Sequence, residues 1–303
     1  MEDWKNNRSW AVGFLGLPTV WLTVLFTLPL VVVWVYSFGY RGALGETIIG
    51  FTLANYIRSF ELIHLAILWK SAWIAIVVTV ICFVIGFPMA MAVAFAPSRY
   101  KNIFLLIVIL PFWTNLLIRT YAWIAVLRPR GFLNSGLEWL HEKLGFILDA
   151  AGLPWGEFVP LEILYNDTAV VIGLIYVHLP FMILPIYATL EKLERSYLEA
   201  ALDLGASQLR TILQVMMPLS LPGIVTGCML VFILTLGNFV VPDVLGGTSS
   251  LMIGNQIARQ FGAARDWPFG SALSFVVLYA TFLLLWLKAV YTARSAERNA
   301  RSW

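Results

Sequence analysis

Charged residues are scarce in this chain of 303 residues, where Asp, Glu, Lys and Arg together make up only 12%. A soluble domain carries about 25%, so the composition excludes a water-exposed surface over most of the chain. Hydrophobic residues reach 60%, and the mean hydropathy is +0.83. The solvent for most of the chain is therefore lipid. The net charge of +3 is less informative than the location of the basic residues along the chain. We expect no nucleic-acid partner.

Groups that carry out chemistry are equally few. The two cysteines, Cys82 and Cys228, both lie in apolar runs, so we expect packing residues without a disulfide framework. The three histidines, at positions 64, 141 and 178, are scattered and form no ligand set. No Ser/His/Asp or paired-carboxylate pattern occurs, and the nucleotide motif G-x-x-x-x-G-K-[ST] is absent. We therefore expect no enzyme, no catalytic residue, no metal site and no cofactor bound by this chain.

Long apolar runs are abundant instead. A spanning helix needs about 20 mostly apolar residues, and six stretches qualify: 11–38, 67–96, 102–127, 168–190, 222–242 and 269–290. The first is too long for a signal-peptide core, so we interpret it as an uncleaved span. The pattern predicts an all-α integral membrane protein of six transmembrane helices, with a head at 1–10, a membrane domain at 11–290 and a tail at 291–303. Residues 133–148 suit a short helix at the membrane interface.

Basic residues predict the orientation of these spans. With both termini in the cytoplasm, the short inner segments hold Lys5, Arg8, Arg99, Lys101, Lys192, Arg195, Arg210, Lys288, Arg294, Arg298 and Arg301. The much longer outer loops hold a smaller set, namely Arg41, Arg58, Arg128, Arg130, Lys143, Arg259 and Arg265, with Lys70 near the outer boundary. Because Lys and Arg are concentrated on the cytoplasmic side of membrane proteins, we expect both termini and the segment 191–221 to be cytoplasmic.

The segment 191–221 is polar enough to leave the bilayer. Ser196 and Glu199 have the spacing of a capping box, which predicts a helix beginning at Ser196. Gly205 suits the left-handed position that ends such a helix, and Ser207 can cap a second helix before Pro218 redirects the chain. The local pattern predicts two short helices hinged at a glycine. It leaves open whether they dock another protein or form a capped loop that packs only on its own bundle.

Fixed spacing in this segment resembles the EAA loop of ABC-importer permeases, which reads E-A-A, three residues, G, nine residues, then I-x-L-P. Glu199, Ala200, Ala201, Gly205 and Pro218 match in place. Val215 and Met217 stand where the family usually has Ile and Leu.

The resemblance implies that the loop, including Asp203, docks in a cleft of a separate ATPase subunit, which binds ATP and Mg²⁺. It also implies an ATPase dimer, a second homologous permease and a periplasmic binding protein as partners. The location implied is the bacterial inner membrane.

Three further stretches, 111–121, 237–247 and 265–270, resemble spermidine/putrescine permeases, and with the loop the likeness covers residues 15–290. A polyamine needs acceptors for its ammonium groups and aromatic faces for cation–π contact. The candidate path residues are Trp113, Asn115, Tyr121, Tyr176, Asn238, Phe239 and Asp243.

Alternatives remain open for three of the polar side chains. Asp243 is either a path carboxylate or, just beyond Pro242, a cap or a solvated residue of an outer loop. His178 and Asn238 either line a pore or form interhelical hydrogen bonds. Arg119 would repel a polycation, so we interpret it as a structural tether that Asn115, one turn earlier, accepts from, with a carboxylate elsewhere completing the pairing.

Other functions fit parts of the same pattern. The same machinery could carry an opine, ferric iron, sulfate or another organic solute. A self-sufficient secondary transporter should show discontinuous helices with paired midplane charges and repeated halves, whereas the sequence has one firm in-span charge, Arg119, and no convincing repeat. A membrane scaffold would still require a partner for the loop.

Overall fold

The computed structural model describes residues 8–43, 45–150, 156–248 and 250–301. Most of these residues are helical. The helices are α1 (Arg8–Ser37), α2 (Ala54–Ser59), α3 (Leu62–Ala94), α4 (Ser98–Ile109), α5 (Leu116–Leu127), α6 (Phe132–Ala150), α7 (Asp167–Leu190), α8 (Arg195–Asp203), α9 (Gln208–Thr211), α10 (Leu221–Leu236), α11 (Val240–Leu245), α12 (Ile253–Phe261) and α13 (Trp267–Arg301). A 3₁₀ turn spans Leu110–Trp113, and α9 continues through a π-helical segment, Ile212–Met216, into Met217–Leu219.

The chain divides into two compact units. One contains the described residues up to Leu65 and those from Gln256 onward, and the other is Ala66–Asn255. Within the first unit, α13 packs against α1 and α2, and the Nε1 of Trp34 donates to the hydroxyl of Tyr279 over 3.2 Å. This unit also contains a short antiparallel ribbon of β1 (Tyr40–Arg41) and β2 (Thr47–Ile48), which the all-α prediction did not include.

In the second unit, α7 is the central helix, and its contacts give the direction of its neighbours. Helix α3 runs parallel to it, since Lys70 contacts Asp167 and Gly86 lies against Met182. Helix α10 runs antiparallel, because Gly227 lies against Met182 while Thr235 contacts His178. Three close approaches of small residues (Gly86, Gly223 and Gly227) let these helices approach without room for a larger side chain.

The segment formed by α4 and α5 also runs antiparallel to α7. Lys101 contacts Glu191, Phe112 contacts Phe181 and Trp123 contacts Tyr176, in that order along both segments. Neighbours of α7 therefore alternate in direction along the chain, as successive membrane spans do.

Among the described residues, four helices are long and apolar enough to cross a membrane, and up to six spans result if each of two bent helix pairs is one span. The four are Gly13–Ser37, Leu62–Ala94, Asp167–Leu190 and Trp267–Leu287. They confirm the apolar stretches 11–38, 67–96, 168–190 and 269–290 as helices to within a few residues. The helix Phe132–Ala150 likewise includes the short helix expected at 133–148.

The other two stretches are not continuous helices, which corrects the prediction. Within 102–127 the chain bends by 94° after Trp113, because Thr114 and Asn115 are extended and Asn115 caps a new helix by accepting from the backbone N–H of Leu117 over 2.8 Å. The stretch 222–242 stops being helical at Leu236 and begins again only at Val240. An asparagine that accepts from the backbone of the next helix stands at each break, Asn115 in the first run and Asn238 in the second, and mean apolarity does not detect it.

Candidate functional site

The segment with the fixed motif spacing forms two short helices, as predicted, but its first helix begins differently. Helix α8 starts at Arg195 with Glu194 at the N-cap and no side-chain cap. Ser196 lies inside the first turn, where its Oγ is 3.4 Å from the Oε2 of Glu194. The predicted capping box of Ser196 and Glu199 is therefore wrong. One residue of shift moves Ser196 from the flanking position to the helix, and the side chain of Glu199 is exposed.

The glycine hinge is confirmed. Gly205 has φ +85°, its N–H donates to the carbonyl of Leu202 over 2.9 Å, and the N–H of Ala206 donates to the carbonyl of Ala201 over 3.1 Å. These two bonds are the 5→2 and 6→1 pair of a Schellman motif. A Cβ added at Gly205 would meet nothing within 4 Å, so the backbone conformation, and not crowding, requires glycine at this position.

The second helix begins at the predicted cap and then changes character. The Oγ of Ser207 accepts from the N–H of Arg210 over 3.3 Å. The helix widens to π geometry over Ile212–Met216, and a bend of 73° separates Gln208–Leu219 from α10. Pro218 lies in the last turn before this bend. We call the two helices and their hinge, residues 195–219, the coupling loop.

The coupling loop is fixed at its base and exposed at its tip. The guanidinium of Arg195 lies 6.0 Å from the ring centre of Phe95, and the Nζ of Lys101 is 2.7 Å from a carboxylate oxygen of Glu191. Helix α8 has no buried residue. Its motif side chains Glu199, Ala200 and Asp203 are exposed, and Leu204 at the hinge is 89% exposed. Apolar surface turned outward in this way indicates a partner and argues against a loop packed only on its own bundle.

A second group of candidate residues lies at the opposite end of α7. Tyr165, just before α7, donates its N–H to the carbonyl of Leu245 over 3.0 Å, which joins α11 to that end. There the Oδ1 of Asn238 accepts from the N–H of Val241 over 3.0 Å, so Asn238 caps α11. Asp243 and Phe239 are exposed.

Asn255 is the residue that sequence reasoning missed in this group. It is 4% exposed, and its Nδ2 donates to the carbonyl of Phe239 over 2.9 Å and lies 3.5 Å from the Oδ1 of Asp243. Its own Oδ1 has no hydrogen-bond partner among the described residues. The amphipathic pattern of α12 was the only sequence signal for this residue, and Asn255 lies 12 residues beyond Asp243 in the chain.

The candidate residues of the third apolar stretch are only partly brought together. Tyr176 lies edge-on to Trp123, with ring centres 5.6 Å apart, and the guanidinium of Arg119 lies 5.9 Å from the ring centre of Tyr176. Trp113, at the helix break, and Tyr121 are 76% and 59% exposed. Helix α5, which contains Tyr121, packs against α11, which contains Asp243, but no hydrogen bond or ring contact between described residues joins Trp113 or Tyr121 to Asp243.

Asn115 does not accept from Arg119, so this part of the predicted pairing is wrong, whereas a carboxylate on a partner permease stays a prediction. The Oδ1 of Asn115 caps its own helix, and the buried Nε of Arg119 has no hydrogen-bond partner among the described residues. None of the ion pairs between described residues includes Arg119. The spacing of four residues put both side chains on one face, but a free N–H at a helix start competes for the same oxygen. The tether role of Arg119 stays a prediction.

His178 belongs to the interhelical hydrogen-bonding alternative. It is 3% exposed, and its Nδ1 lies 3.2 Å from the Oγ1 of Thr235 on α10. The bond joins the middle of α7 to the last turn of α10.

Apolar helices of alternating direction around α7, with an exposed hinged loop at one end, define a multi-pass membrane transport subunit. The chain belongs to the family described as the binding-protein-dependent transport system inner membrane component, whose model matches residues 83–295. It is an inner-membrane permease of this family.

Two relatives and one solved structure agree with this assignment. The chain is 39% identical over 265 residues to the spermidine/putrescine transport system permease protein PotB of Escherichia coli K12, covering 88% of this chain and 91% of that one. It is 38% identical over 271 residues to PotB of Haemophilus influenzae, covering 89% and 90%. The fold resembles that of a bacterial ABC transporter involved in the import of the acidic polysaccharide alginate, with a TM-score of 0.67 and 15% identity over 97% of this chain and 99% of that one.

Proposed function

We propose that this chain is the permease subunit of a binding-protein-dependent ABC importer for polyamines, with spermidine and putrescine as its solutes. The observation that carries the proposal is the 39% identity to PotB across 88% of the chain. A polyamine is a flexible polycation with methylene stems, so its path needs carboxylate or carbonyl acceptors together with aromatic surface.

The proposed topology is six spans with both termini and the coupling loop in the cytoplasm. The bent pair of α4 and α5 is then one interrupted span, and α10 supplies the fifth span, which with the four continuous helices gives six. The helix directions support this topology. Helices α3 and α7 are the second and fourth spans and run parallel, whereas α10 is the fifth span and runs antiparallel to them. The basic residues of the short inner segments give the sign of the orientation.

In this proposal the coupling loop docks in a cleft of an ATPase subunit. The exposed tip of α8, with Glu199, Ala200 and Ala201, supplies a surface that another backbone can approach closely. At the base of the loop, Arg195 contacts Phe95, directly after α3, and Glu191, directly after α7, pairs with Lys101 of α4. A displacement of the tip is therefore transmitted to the membrane helices. ATP and Mg²⁺ are bound by the ATPase dimer, and this chain hydrolyses nothing.

A second permease of similar fold completes the path, and a periplasmic binding protein delivers the solute to the end that holds Asp243. Ammonium groups would contact the carboxylate of Asp243 and the aromatic faces of Phe239, Tyr121 and Trp113, each cation–π contact contributing about 0.5–2 kcal/mol depending on desolvation. Tyr176, Asn115 and Asn238 are the remaining proposed path residues. Arg119, beside Tyr176, acts as a structural tether.

Uptake tests the solute directly. Radiolabelled spermidine and putrescine are measured in a strain that lacks this chain and all other polyamine importers, with and without the chain restored. We expect uptake only with the chain present, and competition by unlabelled polyamine. Equal uptake in both strains would overturn the polyamine proposal.

Co-purification separates this machine from a self-powered transporter. An affinity-tagged chain is extracted in mild detergent, and we expect an ATPase subunit and a second permease to elute with it. Accumulation of solute in vesicles that contain the chain alone, without nucleotide, would contradict the ABC-importer proposal and leave a secondary transporter.

A further inference from the structure

A groove between α3 and α7 has ionic groups at one end and apolar walls at the other. Its cavity of about 330 Å³ is lined by Lys70, Trp73, Ile74, Val77, Asp167, Thr168 and Val171. The Nζ of Lys70 is 2.9 Å from the Oδ1 of Asp167, and their side chains are 32% and 51% exposed. The ion pair is therefore accessible from the groove, and neither charge is used in the proposed coupling or path.

The ionic end lies at the depth of lipid headgroups. Helix α7 has 24 residues and at 1.5 Å per residue is about 35 Å long. One ion pair, between Lys70 and Asp167, stands at its start and another, between Lys101 and Glu191, at its end. A hydrocarbon core is about 30 Å thick, so the two pairs fit its two boundaries.

From the ion pair the groove runs into the hydrocarbon. Because α3 and α7 are parallel, Val77 and Val171 lie on the membrane side of Lys70 and Asp167, about 10 Å and 6 Å further along their helices. Trp73, 59% exposed, stands between the ionic and apolar parts, at the position where tryptophan lies in membrane interfaces.

We propose that this groove binds a zwitterionic aminophospholipid, phosphatidylethanolamine, as a structural lipid. The phosphate would contact the ammonium of Lys70 and the ethanolamine ammonium the carboxylate of Asp167, while an acyl chain follows Val77 and Val171. A paired cation and anion match a headgroup that carries both charges, whereas an anionic headgroup would meet the repulsion of Asp167.

Lipid titration by native mass spectrometry of the full chain with its co-purified subunits tests the headgroup. Phosphatidylethanolamine, phosphatidylglycerol and phosphatidylcholine with identical acyl chains are compared. We expect tighter retention of phosphatidylethanolamine than of the other two, since phosphatidylglycerol lacks the cation and phosphatidylcholine lacks N–H donors. Equal retention of all three would overturn the proposal.

Matched variants assign the effect to the groove. Asp167→Asn should weaken phosphatidylethanolamine binding about tenfold, as expected for loss of a charge-assisted contact, and remove the preference over phosphatidylglycerol. Lys70→Gln should weaken the binding of both phosphatidylethanolamine and phosphatidylglycerol. Glu191→Gln removes a carboxylate from the other ion pair of α7 and should change neither, and an equal loss with Glu191→Gln would overturn the assignment.

A photo-crosslinker keeps the test independent of those variants. With p-benzoylphenylalanine at position 73 in membranes of the native strain, irradiation should attach phospholipid to the chain. Attachment to another polypeptide instead would show that a subunit covers the groove and would overturn the lipid proposal.

Discussion

The two ends of α7 hold the two candidate functional regions of the molecule, and they are built in different ways. At the coupling loop, backbone hydrogen bonds define the shape, notably the bond from Ala206 to Ala201 across the hinge, while the motif side chains are exposed. At the opposite end, side chains define the shape, because Asn238 and Asn255 bond to the backbone at the start of α11, the helix that holds Asp243. A surface for a partner can be specified by local spacing, whereas a polar lining requires contacts between distant segments.

The largest effect should come from changing the hinge conformation. Gly205→Val is expected to reduce polyamine uptake to background while the chain accumulates normally. A β-branched residue at φ +85° costs about 1–2 kcal/mol, and the two helices would then separate at another angle. Uptake and the amount of ATPase that co-purifies are the measurements.

Gly136→Val is the matched control, because a Cβ at Gly136 also meets nothing within 4 Å but no left-handed conformation is required there. Gly205→Asn should retain most uptake, since asparagine tolerates the left-handed region. Normal uptake with Gly205→Val would show that the hinge conformation is not needed for coupling.

Charge reversal on the exposed tip should have the next largest effect. Glu199→Lys is expected to abolish uptake and ATPase co-purification without altering thermal stability, because the Glu199 side chain is exposed and takes part in no ion pair between described residues. Glu142→Lys, an equal charge reversal on the exposed surface of α6, should leave both unchanged. If the two variants behave alike, net charge and not docking explains the loss.

Much of the coupling loop could be predicted from sequence, because its features are local. The positions of Gly205, Ser207 and Pro218 relative to one another specify the hinge, the second cap and the bend within 14 residues. The start of α8 was misplaced by the same local reasoning, since Ser196 lies in a helix that begins one residue before it. Local spacing indicates that a cap is possible, but the approach of Arg195 to Phe95, 100 residues away, is not visible in it.

At the end of α7 near Asp243, the sequence predicts which residue types are present but not which of them are in contact. Asp243 and Phe239 were identified by residue type, whereas Asn255 was missed because its contact depends on how α12 returns to α11. Arg119 shows the same limit. Helical spacing suggests Asn115 as its partner, but because the helix breaks at Thr114, the Oδ1 of Asn115 accepts from the backbone N–H of Leu117 instead. Apolar periodicity locates helices, but it does not reveal where polar residues interrupt them.

Removing the carboxylate at the path end should have an intermediate effect. Asp243→Asn is expected to raise the KM for spermidine about tenfold, the loss of roughly one charge-assisted contact, while ATPase co-purification remains normal. Glu162→Gln, which changes an exposed carboxylate shortly before α7, should leave the KM unchanged. An unchanged KM with Asp243→Asn would remove Asp243 from the proposed path and leave it as an exposed residue of α11.

The smallest effect should come from the ion pair at the base of the coupling loop. Glu191→Gln breaks the contact with Lys101. The side chain of Glu191 is 39% exposed and that of Lys101 is 20% exposed. Exposed pairs of this kind contribute about 0.2–1 kcal/mol, so we expect a slightly lower unfolding temperature in detergent and less than about a twofold change in uptake. A double-mutant cycle with Lys101→Gln isolates the pair.

Because the base of the loop is also held by Arg195 on Phe95, the pair alone should not determine coupling. A large loss of uptake with little change in unfolding temperature would instead show that the ion pair of Lys101 and Glu191 transmits the movement of the loop. Coupling would then depend on particular side chains at the base of the loop as well as at its tip.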